Sequence, residues 1–228
     1  ATVRKEKQFN FKGDLDYTNI LSSGSVEAVN LANNHTYDFL EEGFVDTKNA
    51  LDNANIPYFG YDDYKILDVD GIKIGLAGLS GWDETSAKDN TLKAIDYFKN
   101  ENTDLIIMTY HWGIEKEYEQ NSTQENIAKF AIDSGADLVI GHHPHVLQGV
   151  ELYNGKYIVY SLGNFVFGGN KNPKDKDTMI FQEIFHFEDG VLTDSRIEII
   201  PCSLSGEKNS NDYRPVVLDG NDKDAVLK

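Results

Sequence analysis

The stretch "NSTQENIAKFAIDSGADLVIGHH" constrains the fold more than any other part of the chain. Ser122 or Thr123 can cap a helix whose apolar face is Ile127, Phe130 and Ala131, and Gly135 stops it. An apolar strand at 138–140 follows at once. A strand apolar at successive positions is covered on both faces, and a helix delivered directly to its start implies α/β layering with parallel neighbours.

Other segments repeat the theme. "SVEAVNLA" at 25–32 reads as a short buried strand ending at "NNH". After it, Phe44, Thr47, Leu51 and Ala54 fall at helical spacing. A helix through Leu92, Ile95 and Phe98 leads into the strand "DLIIMTY", which ends at His111. Hairpins are signalled at Asp70-Gly71, Asn154-Gly155 and Asp189-Gly190, where both turn residues accept positive φ. Helices alternate with strands in the first two-thirds and hairpins dominate afterwards. That order predicts α/β layers with a mixed sheet, or two sheets face to face, instead of a purely parallel doubly wound fold. After Pro201 the chain turns polar and acidic. A domain over 1–204 followed by a loosely docked tail at 205–228 is expected.

Composition limits the function. A formal charge of −17 argues against nucleic-acid binding, which needs Lys and Arg to neutralise phosphates. It would also repel an anionic substrate unless a cation or a local basic patch drew one in. The single cysteine, Cys202, excludes an internal disulfide framework and a cysteine-built zinc site. No stretch reads as a membrane span, and "ATVRKEKQFN" lacks the apolar segment of a signal peptide.

Three polar clusters sit at strand ends: "NNHTYD" at 33–38, "HWG" at 111–113 and "GHHPH" at 141–145. In α/β sheets such loops converge on ligand sites. Neutral imidazole binds zinc, iron and manganese, and amide or carboxylate oxygen completes such sites. The proline in "HPH" stiffens the turn and pre-sets its two histidines. Each cluster also has a plainer explanation. "NNH" is compatible with simple turn chemistry, and His111 alone with a hydrogen-bonded structural role. His186 alternates with Phe185 and Phe187 and reads as a sheet residue. Asp38 and Glu117 are either partners that orient imidazoles or solvated acids, with solvation favoured for Glu117.

The blocks "NLANNHTYDFLEEGFVDTKNALDNANIPYFG" and "HWGIEKEYEQNSTQENIAKFAIDSGADLVIGHHPHVLQGVELYNGKYIVYSLGNFVFGG" resemble the bacterial poly-γ-glutamate capsule synthesis (CapA-like) protein family. The resemblance covers roughly residues 8 to 170. It implies a calcineurin-like metallophosphoesterase fold, an α-β-β-α sandwich with two mixed sheets. It places Asn34 at a metal-bridging position, His111, His143 and His145 at metal-binding positions, and His35 where a histidine faces the leaving group. His142 is then a neighbour. Divalent ions (manganese, zinc or iron) are implied, two of them in the full-length protein. Such a site hydrolyses phosphate esters by activating a water while His35 serves the departing oxygen.

The family's acidic ligands come from a strand ending in Gly-Asp and from an "Asn-Leu-Glu"-like segment, neither of which has a counterpart in this sequence. The resemblance therefore implies a missing N-terminal strand or strands, weak binding of at most one metal, negligible activity, and association into homo-oligomers through an exposed sheet edge. It further implies an extracytoplasmic, membrane-associated role, anchored by a segment outside this chain, in capsule or envelope polymer synthesis or export. Poly-γ-glutamate and membrane synthase subunits would be the partners. A non-catalytic scaffold subunit and an unrelated metal-dependent phosphoesterase are the alternatives.

Overall fold

The computed structural model describes residues 1–227. After a 3-10 turn at Leu15–Tyr17, the elements in chain order are α1 (Thr18–Ser23), β1 (Val29–Asn30), α2 (Leu40–Asn53), β2 (Tyr58–Phe59), β3 (Lys65–Val69), β4 (Ile72–Ser80), α3 (Glu84–Asn100) and β5 (Leu105–His111). They continue with α4 (Ser122–Ser134), β6 (Leu138–His142), β7 (Val150–Tyr153), β8 (Lys156–Val159), β9 (Asp177–Glu188), β10 (Val191–Ser203), β11 (Val216–Val217) and α5 (Gly220–Val226).

The main sheet has six strands in the order β3-β4-β5-β6-β8-β7. Its centre is parallel, and an antiparallel hairpin closes each edge. Two of the sequence-signalled turns make those hairpins: Asp70 and Gly71 have φ of 53° and 86°, Asn154 and Gly155 of 49° and 75°. The third turn, at Asp189-Gly190, joins β9 to β10 in a separate three-stranded antiparallel sheet, where His186 pairs with Asp194. The fold is thus mixed α/β with a mixed multi-stranded sheet.

The helix face of the main sheet holds the core. Phe98 and Ile95 of α3 and Ile127 and Ala131 of α4 are buried against Met108, Tyr110 and Val139 of β5 and β6. Gly75 gives Phe98 its space, since a Cβ there would lie 2.7 Å from the ring. Leu92, expected on the buried face of α3, is 42% exposed; Thr91 lies inside instead and bonds the Tyr110 hydroxyl at 2.6 Å. The cap of α4 is Asn121, one residue earlier than expected. Its side chain accepts from the Gln124 amide at 3.0 Å while the Gln124 side chain accepts from the Asn121 amide at 3.1 Å.

One expectation needs correction. The 25–32 segment forms only the two-residue β1, which pairs in parallel with β2, and does not join the main sheet beside β5. The cause is Asn30. Its Nδ2 donates to Thr109 Oγ1 at 2.8 Å and its Oδ1 accepts from the Ala32 amide at 2.9 Å, so its amide bends the chain where a strand would continue. Gly78 accommodates it, because a Cβ there would come within 2.1 Å of Asn30 Oδ1. Beyond Pro201, residues 205–227 make defined contacts. β11 pairs with the end of β10, and Asn211 Nδ2 donates to the carbonyls of Phe167 and Asn170 at 2.9 and 3.1 Å. Among the described residues, no helix is long and apolar enough to cross a membrane.

Candidate metal centre

The parallel register of β4, β5 and β6 sets Ser80, His111 and His142 side by side at the carboxyl end of the sheet. Three loops leave from this end. The chain beyond β6 turns sharply, with His143 at φ 101° and His145 at φ 62°. Positive φ is costly for residues carrying a Cβ, so surrounding contacts must hold this turn in place. The floor beneath it is tight: a Cβ on Gly141 would lie 2.1 Å from the Tyr160 carbonyl and 2.4 Å from Trp112 Nε1, which itself donates to that carbonyl at 2.9 Å.

The imidazoles form a continuous row. The rings of His111 and His143 are 4.8 Å apart, and those of His143 and His145 5.7 Å apart. Trp82, at the end of β4, stands edge-on to His143 at 4.5 Å and to His111 at 5.7 Å. Phe167 flanks His145 at 5.5 Å, and Asn164 Oδ1 lies 2.8 Å from His145 Nδ1, fixing the ring from behind. From the 33–38 loop, Asn34 Oδ1 reaches 3.2 Å from His111 Nε2. That separation suits a hydrogen bond, and it equally suits two ligand atoms each about 2.0–2.2 Å from one ion.

His35 sits beside Asn34 in a loop tied to itself. Its amide donates to Asn33 Oδ1 at 2.8 Å, and its Nδ1 lies 2.9 Å from Asp38 Oδ2. Asp38 is buried and also accepts from the Phe11 amide at 2.8 Å and pairs with Lys7. Burial by itself would raise the Asp38 pKa; Lys7, the Phe11 amide and His35 outweigh it and hold the carboxyl below its ordinary value. Lys7 also donates to the Asn34 carbonyl at 3.1 Å, and the Phe11 ring meets His35 edge-on at 4.5 Å. A cleft of about 510 Å³ opens between this loop, the chain around Phe11–Leu21 and α2.

The row of imidazoles is electrostatically suited to a cation. Burial, followed by the neighbouring rings of His143, His142, His145 and His35, presses the His111 pKa down to about 3. Burial brings that of His142 to about 4. Burial and then His145 lower that of His143, against a pull upwards from Glu115. At neutral pH these rings are uncharged and their lone pairs are available. Among the described residues, nothing hydrogen-bonds the buried His143 Nδ1. A buried, unpaired imidazole nitrogen costs free energy unless something binds it, and a metal ion is the simplest partner. The donor set therefore fits a divalent cation.

Asn34, His35, His111, His143 and His145 are thus gathered at one end of the sheet. Glu117 contributes its backbone, the carbonyl accepting from Gln148 Nε2 at 2.9 Å. One residue escaped the sequence reading. The ligand atoms of Glu115, His143 and His145 all lie within 4.8 Å of one another. Glu115 stands in the exposed acidic run "EKEYE", and its spacing from His111 in "HWGIE" was the available signal.

Residues 2–169 match the family model described as "Bacterial capsule synthesis protein PGA_cap". The "Capsule biosynthesis protein CapA" of Bacillus anthracis is 30% identical over 224 residues, covering 88% of this chain and 53% of that protein. The "PGA biosynthesis protein CapA" of Bacillus subtilis is 31% identical over 184 residues, covering 71% and 48%. A Mycobacterium tuberculosis protein named "Probable polyglutamine synthesis accessory protein" is 27% identical over 107 residues, covering 45% and 28%. The chain spans about half the length of the Bacillus relatives it matches. With the family model matching most of its length, the chain belongs to the bacterial capsule synthesis protein family PGA_cap, of metallophosphoesterase-like fold.

Proposed function

We propose that this chain serves the synthesis or export of a bacterial capsule polymer, poly-γ-glutamate or a related envelope polymer, through a metal-dependent phosphoesterase-like site. The reading places the work outside the cytoplasm and beside membrane synthase subunits. Its main support is the convergence of three strand-end loops, with Asn34 beside His111 and His111 continuous with His143 and His145. The relatives' names supply the polymer.

His111, His143, His145 and Asn34 would hold the metal, which when bound would polarise a phosphoryl oxygen and favour attack by water. The remaining steps fall to side chains. Asp38 engages Nδ1 of His35, so Nε2 is the atom left to carry a proton to the departing oxygen. Lys7, from the N-terminal segment, lies 3.3 Å from His35 Nδ1. It keeps Asp38 ionised and adds local positive charge in a chain of net charge −17, where an anionic substrate would otherwise be repelled. Trp82 and Phe167 flank the imidazoles.

The test is metal-dependent hydrolysis of a simple aryl phosphate monoester and diester by the full-length protein. His35→Ala should reduce turnover by on the order of 10²–10⁴-fold with metal still bound. His143→Ala should lower activity by weakening metal uptake. Loaded protein that turns over no phosphate ester would leave a non-catalytic, metal-holding scaffold as the reading.

A further inference from the structure

Imidazoles and an amide are neutral, so a site made only of Asn34, His111, His143 and His145 lacks an anionic ligand to balance a divalent ion. Asp38, in the 33–38 loop, is already taken up by Lys7, the Phe11 amide and His35. The loop after β5 offers another source. Four hydrogen bonds tie it to the histidine turn and the residues just beyond. The Trp112 amide donates to the His142 carbonyl at 3.1 Å and the Lys116 amide to the Pro144 carbonyl at 2.7 Å. Gln148 Nε2 donates to the carbonyls of Glu117 and Glu119 at 2.9 and 3.2 Å.

Gln148 is itself buried and held by Gln124 Nε2 at 2.8 Å, which anchors the whole loop to α4. The loop bends over Gln124 only because residue 113 is glycine. At φ 78°, a Cβ there would stand 2.8 Å from Gln124 Oε1. Residues 114–116 are thereby pinned against the "HPH" turn, and Glu115 is the side chain whose carboxylate lies within 4.8 Å of both ligand atoms of His143 and His145. The buried, unpartnered Nδ1 of His143 is an independent sign that a ligand belongs there.

We infer that Glu115 is the anionic ligand of a divalent first-row metal ion, joining His143 and His145 in the metal site described above. This rests on the metal reading proposed above and deepens it. Glu115 is exposed, so its carboxylate can swing the short remaining distance as the ion loads. Carboxylate plus two imidazoles is a donor set suited to zinc, manganese or iron.

The test is titration of the 228-residue chain with Mn²⁺, free ion being read by electron paramagnetic resonance, for wild type, Glu115→Gln and Glu117→Gln. Circular dichroism without metal should be the same for all three, because both side chains are exposed. Wild type should take up one ion per chain. Glu115→Gln should bind at least about tenfold more weakly, and Glu117→Gln as wild type does. Equal binding by Glu115→Gln and wild type would overturn the role of Glu115 alone. No uptake of Mn²⁺ or Zn²⁺ by wild type would overturn the metal reading together with it.

Discussion

Two loops at the same end of the sheet are built on opposite principles. In the 33–38 loop, polar groups satisfy one another: Asn33 receives the His35 amide, Thr36 Oγ1 donates to the Asn33 carbonyl at 2.9 Å, and Asp38 gathers His35, Lys7 and the Phe11 amide. In the 142–145 turn, two histidines sit at positive φ and His143 Nδ1 is buried without a partner. The first loop fixes the orientation of His35 and presents Asn34 Oδ1 to His111. The second holds backbone strain and a buried, unpaired imidazole nitrogen that a cation can engage.

The largest expected effect comes from disturbing the floor of the strained turn. Gly141→Ala should destabilise the chain by about 4 kcal/mol or more, since its Cβ would collide with the Tyr160 carbonyl and Trp112 Nε1. Urea unfolding measures this. Gly155→Ala, in a turn with open space around it, should cost only about 1 kcal/mol, from its positive φ.

Asp38→Ala tests the self-satisfied loop. Removing one partner of a buried ion pair strands Lys7, the Phe11 amide and His35, at a cost of about 3 kcal/mol. Metal affinity at the histidine turn should change less than about tenfold, because Asp38 touches none of the imidazoles in the row. A large loss of metal with little loss of stability would reverse the two loops' roles.

These contrasts were only partly legible in the sequence. The three hairpins were, because Asp-Gly and Asn-Gly pairs specify positive φ locally. The β5–α4–β6 unit was legible from its periodicity and its Gly135 stop. Long-range effects were not. Asn30 looks like one more residue of a short strand until its amide is seen reaching Thr109, far along the chain. The early start of α4 depended on Asn121 and Gln124 closing a reciprocal pair, where two hydroxyl residues next in sequence offered competing caps. Apart from its spacing from His111, Glu115 resembles Glu117 and Glu119 locally. What brings its carboxylate to His143 and His145 is tertiary, the Lys116 amide bonding the Pro144 carbonyl.

The uncharged imidazoles predict a pH dependence. His111 and His142 have folded-state pKa values pressed to about 3 and about 4, below the ordinary histidine value. The unfolded chain therefore binds more protons between those values and about 6.5, so metal-free stability falls as pH drops through that window. The slope should be at most about 1.4 kcal/mol per pH unit for each histidine, and urea unfolding at pH 7, 6 and 5 measures it. A flat profile would mean the row is hydrated and its strain already relieved. The smallest effect belongs to the anchor of the Glu115 loop: Asn121→Ala should cost about 1 kcal/mol in thermal or urea unfolding by removing the α4 cap.

The central claim, that the histidine turn is a metal ligand set held ready by the fold, is tested most directly by isothermal titration of the 228-residue chain with Zn²⁺ or Mn²⁺, beside His143→Ala. The prediction is saturable binding by wild type and a loss of at least about tenfold in His143→Ala, whose metal-free stability should not fall, since an unpaired buried nitrogen has been removed. Equal binding by the two proteins, or none by wild type, would contradict the account.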